Sequence, residues 1–191
     1  MAVLALAALV LAGCGHSSRG KKLSDRELGA LVLQPTDLPK TFSEFSFARE
    51  SSSELSPALH GDRTRFGRQD GWVARYRRGG PTQARGPLTV ASGVEVFADS
   101  DGAADYLDAV VEAQESAGGA LRKVEVSTLG DETAAFAPPG APPGTAVSFY
   151  VVWRDGRFAG GISAVGFARR LVLADVVALA RKQEKRMTRA D

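Results

Sequence analysis

The chain opens on eleven consecutive apolar residues, Ala2 to Ala12, a longer unbroken run than any that follows. A helix of that length covers roughly 17 Å at about 1.5 Å per residue, well short of the ~30 Å hydrocarbon core of a bilayer. The run therefore reads as a secretory signal and not as a spanning helix. Downstream, the apolar positions become periodic. In Leu23-Ser24-Asp25-Arg26-Glu27-Leu28, Ser24 and Glu27 fit a capping box and Leu23 and Leu28 a hydrophobic staple. The spacing predicts a helix to about Leu33 with Leu28, Leu31 and Val32 on its buried face, because Pro35 restricts Gln34. Pro35 to Pro39 is a turn, and Phe42, Phe45 and Phe47 mark an extended stretch. From Arg49 to Gln69 no period holds, which predicts a long loop.

Trp72 to Arg77 alternates as a strand, with Trp72, Ala74 and Tyr76 on one face. A second strand, Leu88 to Phe97, aligns Leu88, Val90, Val94 and Val96. Asp99, Ser100 and Asp101 offer caps for a helix to about Ser116, striped by Ala103, Leu107, Val110, Val111 and Gln114 with Tyr106 beside them. Extended pieces follow at about 122–127 and from Leu129 to Phe136. The prolines and glycines of 138–144 exclude both helix and central strand. Ala146 to Trp153 and Phe158 to Phe167 read as a hairpin joined across Arg154-Asp155-Gly156-Arg157. Gly160, Gly161 and Gly166 predict a bend, a bulge or a helix packed close on the sheet. The final helix, about Leu173 to Arg186, buries Leu173, Val176, Val177, Ala180 and Met187, and its late basic residues suit the C-terminal dipole.

The order α-β-β-β-α-β-β-β-β-α predicts an α+β fold: a single antiparallel β-sheet packed with two to three α-helices, with no second domain. The organisation read from the chain is a signal at 1–13, a flexible Gly/Ser-containing tether at 14–22 and one globular domain at 23–191. Composition agrees with a folded chain, at 44% hydrophobic and 24% charged residues. A net charge of +2 gives no argument for nucleic acid. Cys14 is the single cysteine, so no disulfide staples the domain.

Candidate chemistry is sparse. Ser163 lies in Gly161-Ile162-Ser163-Ala164-Val165, which lacks the last glycine of a nucleophile elbow and falls inside a strand. The histidines are His16 in the tether and His60 in the loop, too few and too scattered for a zinc site. Neither a phosphate-binding loop nor a dinucleotide fingerprint is present, and no cofactor is expected. Asp131 and Glu132 follow a glycine and read as turn-capping acids sooner than as a catalytic pair. Arg75, Arg77 and Arg78 offer either an anion-binding strip or the wet face of an edge strand. Trp72, Tyr76, Tyr150 and Trp153 are either core or the lining of a ligand pocket between sheet and helix.

Leu11-Ala12-Gly13-Cys14 resembles the lipobox of bacterial lipoproteins. That resemblance implies cleavage before Cys14, a diacylglycerol on its thiol and further acylation, such as palmitate, on the new amino terminus. The alternative is an ordinary secretory signal with a cysteine near the cut. Two acyl chains at one residue suffice for stable anchoring, each buried methylene contributing roughly 0.8 kcal/mol, and Lys21 and Lys22 would lie near the headgroups. The element order and its closing hairpin-helix resemble the Mog1/PsbP-like fold, found in small actinobacterial lipoproteins of the LpqN type, over about residues 24–187. Extracellular sensor domains of mycobacterial kinases are similar in places, though these rely on disulfides that this chain lacks. The resemblances imply a lipid-anchored protein on the extracytoplasmic face of the cell membrane. They imply a non-enzymatic binding or accessory module whose partner is an envelope protein, a lipid or a small apolar ligand. An envelope hydrolase built around Asp131, Glu132 and the loop serines and histidine is the alternative, and a purely structural envelope protein is a third.

Overall fold

A computed structural model describes residues 22–49, 63–80, 85–118 and 121–189. Ser24 caps α1 (Asp25–Leu31) in a complete capping box: its hydroxyl accepts from the Glu27 amide, and the Glu27 carboxylate accepts from the Ser24 amide at 2.8 Å. The helix stops two residues before the sequence expectation, because Val32 is already extended at ψ 170°. A 3₁₀ turn at Pro35–Asp37 leads to β1 (Phe42–Arg49). After a 3₁₀ turn at Arg63–Phe66 come β2 (Arg68–Arg78) and β3 (Thr89–Phe97). The expected loop is thus shorter at its end. A β-bulge between Arg68 and Asp70 lets the polar residues before Trp72 join the ladder, which hides their period. The rest of that loop, 50–62, lies outside the described residues.

Asp99 caps α2 (Ser100–Ser116), its carboxylate accepting from the Gly102 amide at 2.9 Å. β4 (Arg122–Val124), β5 (Glu132–Ala137), β6 (Ala146–Asp155), β7 (Phe158–Phe167) and α3 (Leu173–Met187) complete the domain. The order is the predicted one. The seven strands form one antiparallel sheet, β1-β2-β3-β7-β6-β5-β4. Two meanders, β1-β2-β3 and β4-β5-β6-β7, meet at the β3–β7 pair, and α2 carries the chain from β3, in the interior of the sheet, to the edge strand β4. The hairpin tip is Gly156-Arg157, one residue later than Asp-Gly would place it, with Gly156 at φ +53° as a glycine-first two-residue turn allows.

Strand alternation builds two cores. On the first face α1 and α3 cover Trp72, Ala74, Tyr76, Val94, Phe149, Val151, Trp153 and Ile162. On the second, α2 places Ala103, Tyr106, Leu107 and Val110 over Phe97, Phe136, Tyr150 and Val152. Gly160 shows why α3 sits so close. An added Cβ there would meet Trp153 Cε2 at 2.6 Å and Met187 Sδ at 2.8 Å. Of the readings the sequence left open for this glycine, close helix packing is the one the structure adopts.

Polar side chains tie these layers together. Leu33, just past α1, donates its amide to Ser92 Oγ (2.9 Å), and its carbonyl accepts from the Tyr76 hydroxyl (2.6 Å). Ser92 Oγ donates to Gln183 Oε1 (2.7 Å), and Gln183 Nε2 donates to the Gly93 carbonyl (2.7 Å). Ser92 and Gln183 are fully buried, so each bond forms without competing water. Asp37 and Arg186 close the outside of the same α1–α3 contact as a two-oxygen ion pair at 2.8 and 2.9 Å. On the second face the fully buried Glu95 pairs with Arg68, and Gly71 leaves the space that pair occupies.

Candidate functional site

Cys14, the segment 1–13, Lys21 and His60 lie outside the described residues. The four aromatic candidates do not form one pocket. Trp72, Tyr76 and Trp153 belong to the first core, whereas Tyr150 belongs to the second. Tyr150 and Trp153 are three positions apart on one strand, so the pleat sends them to opposite faces. All four are buried: Trp72 packs edge-on against Phe47 and Tyr150 stacks on Phe136. Burial, with the neighbouring Glu44 carboxylate, pushes the Tyr76 phenol well above the ordinary tyrosine range. These side chains hold the fold.

The other candidates resolve as follows. Asp131 Oδ2 accepts from the Gly156 amide at 2.9 Å and from Arg154, and Glu132 pairs with the same Arg154 guanidinium at 3.2 Å. The two acids therefore secure the hairpin tip of β6–β7. Ser163 sits within β7 between Ala91 and Tyr150, without an elbow. β2 is not an edge strand, since β1 pairs along its outer side. Its arginines divide: Arg75 and Arg77 lie on the second face, and Arg78 stands over the Phe42 ring at 5.1 Å. Among the described residues no cluster of three or more His, Cys, Asp or Glu could hold a metal ion.

The first core reaches solvent along a groove between α3 and the extended chain after β4. It encloses 310 Å³ and is lined by Val126, Ser127, Leu173, Val177, Ala178 and Arg181. Leu173 belongs to the same helical stripe as the buried Val176, Val177 and Ala180, but the short β4 leaves it partly uncovered, with Val177 in the groove floor. Arg181 donates to Ser127 Oγ at 2.5 Å, which fixes a cation at the rim. An apolar floor with one guanidinium at its edge suits a slender apolar ligand ending in a negative or polar group. Sequence reasoning missed this groove. The stripe is legible, but only the ending of β4 at Val124 exposes it. A second hollow of 480 Å³ lies on the other side of Val126, against Lys123, Glu125 and Thr133.

No protein-family model and no curated protein matches the chain. Among solved structures, the extracellular domain of PknH from Mycobacterium tuberculosis aligns over 88% of this chain and 98% of that one, at 12% identity and a TM-score of 0.62. The chain therefore shares its fold with a mycobacterial extracellular domain.

Proposed function

We propose that the protein is a lipid-anchored, extracytoplasmic and non-enzymatic binding module of the cell envelope, tethered at Cys14 and taking a small apolar ligand or envelope lipid in the α3 groove. The observation that carries the reading is Leu11-Ala12-Gly13-Cys14 placed a few residues before a domain that begins at an exposed helix cap. Lys22 and Ser24 are exposed, so the chain enters the fold at its surface, as a tether needs. The fold shared with the extracellular domain of PknH supports an extracytoplasmic setting. The groove, an apolar hollow rimmed by Arg181, supports binding.

Metabolic labelling with a clickable palmitate tests the anchor. The native protein is expected to take up label and fractionate with membranes, and Cys14→Ser to lose both properties. A native protein that keeps residues 1–13 or an unmodified thiol refutes it. For the ligand, native mass spectrometry is expected to show a copurified apolar molecule that Ala178→Trp displaces. Ala178 is exposed in the groove, so the substitution fills the hollow without disturbing the core. No bound molecule in either protein would remove the groove from the reading.

A further inference from the structure

One end of the sheet gathers cations that no carboxylate among the described residues neutralises. Arg77 and Arg78 close β2, Arg85 lies in the connection to β3, and Arg169 and Arg170 follow β7. Backbone and side-chain bonds bring these segments together. The Gly86 amide donates to the Arg170 carbonyl at 2.7 Å, and Arg78 donates to the Arg85 carbonyl at 2.9 Å. The Gly79 amide donates to the Thr41 carbonyl at 2.7 Å, which brings Lys40 alongside. Four arginines elsewhere, Arg49, Arg68, Arg154 and Arg186, each pair with a carboxylate. Among the described residues, none of the six cations at this end does so. The acids on the same elements are engaged: Glu44 lies against Tyr76, and Asp175 accepts from the Val172 amide at 3.2 Å.

Arg169 is the second sign. It stands at φ +68°, the left-handed region, and is the non-glycine residue that does so among the described residues. An exposed arginine stands where glycine would be less strained, and local backbone strain of this kind clusters at functional positions.

We propose that this end binds an extended polyanion carrying phosphate groups. Five of the six cations are arginines, whose planar forks engage phosphate oxygens two at a time. They span β2, β3 and β7, about 10 Å at ~4.8 Å per strand, wider than one phosphate and suited to a polymer. Among the described residues, the exposed large apolar ones are Phe45, Phe47 and Val165; all three lie within strands, and none sits on the turns that carry the cations. The described residues of the tips thus offer no inserting wedge, which favours a polymer over a bilayer. Asp25 pairs with Arg49, and Arg49 with Asp70, at the far end of β2. Eight residues at ~3.3 Å then put the chain entry about 26 Å from the cations. Binding in solution does not rest on the proposed anchor.

The test measures binding of the purified full chain to immobilised linear inorganic polyphosphate across a salt series. The native protein is expected to bind with a steep salt dependence. Arg169→Gln with Arg170→Gln, and separately Arg77→Gln with Arg85→Gln, should weaken binding at least about tenfold. Each pair should also flatten the log–log salt slope by roughly 0.7–0.9 per lost contact. Arg26→Gln with Lys185→Gln removes the same charge elsewhere and should change neither. Arg169→Gly should bind more weakly while melting at a higher temperature, which separates loss of contact from loss of fold. Equal losses in the control pair, undiminished binding in both test pairs, or equal capture by polyglutamate would each overturn the proposal. So would binding to phosphatidylglycerol vesicles without binding to polyphosphate.

Discussion

Substituting alanine at Gly160 gives a test whose sign is decided by the structure. Glycine inside a strand is normally a weak point, and replacing it with alanine should stabilise by about 0.5–1 kcal/mol through backbone entropy. At Gly160 the new Cβ would lie 2.6 Å from Trp153 Cε2 and 2.8 Å from Met187 Sδ, with Trp153 Cζ2 closer still. Met187 can swing aside, being unbranched. Trp153 is fully buried among packed neighbours and cannot. Overpacking of one methyl against a fixed indole costs about 1–3 kcal/mol. The net expectation for Gly160→Ala is therefore a loss of about 1 kcal/mol, lowering Tm by roughly 2–4 °C for a domain of this size. Urea and thermal unfolding followed by far-ultraviolet circular dichroism read both values. Trp153→Phe removes the offending ring atoms at its own cavity cost. Combined with Gly160→Ala, it should show a favourable coupling of about 1–2 kcal/mol. A neutral or stabilised Gly160→Ala, or strict additivity of the pair, would refute the claim that this glycine makes room for the Trp153 indole beneath α3.

Gln183→Leu removes the acceptor of the Ser92 hydroxyl proton and the side-chain donor to the Gly93 carbonyl in a dry layer, and is expected to cost about 1–3 kcal/mol despite its greater hydrophobicity, measured by urea unfolding. Tyr76 carries a raised folded pKa, so the unfolded chain ionises first. Its stabilisation is whole below about pH 10 and declines as pH rises above the unfolded value. Chemical unfolding between pH 8 and 11 should show that decline, and Tyr76→Phe should flatten it while losing about 1 kcal/mol from the bond to the Leu33 carbonyl.

What was readable in the chain follows from locality. The Ser24–Glu27 box, the Asp99 cap, the alternation of Trp72 to Arg77 and the spacing of Val176, Val177, Ala180 and Met187 each express a period or a cap within a few residues. Such features carry their own physical cause. Strand faces were readable too, and applying that period across Tyr150 and Trp153 separates them, which is why four aromatics could not share a pocket. The expectation that Arg75, Arg77 and Arg78 mark an edge strand failed for a different reason. Nothing local to β2 records that β1, exposed along most of its length, lies outside it. The burial of Gln183 is not legible in the basic end of α3, because its buried partner Ser92 lies 91 positions away.

Sequence alone determined the element order, the α+β class, the two-faced sheet and the lipobox-like segment, since each depends on neighbours along the chain. Only the tertiary structure decided that the first and last meanders meet at β3–β7, that β4 ends early enough to open the α3 groove, and that five arginines and a lysine from four separate segments share one end. Those outcomes depend on contacts between distant residues, and one chain's pattern of polar and apolar positions does not encode which distant strands pair.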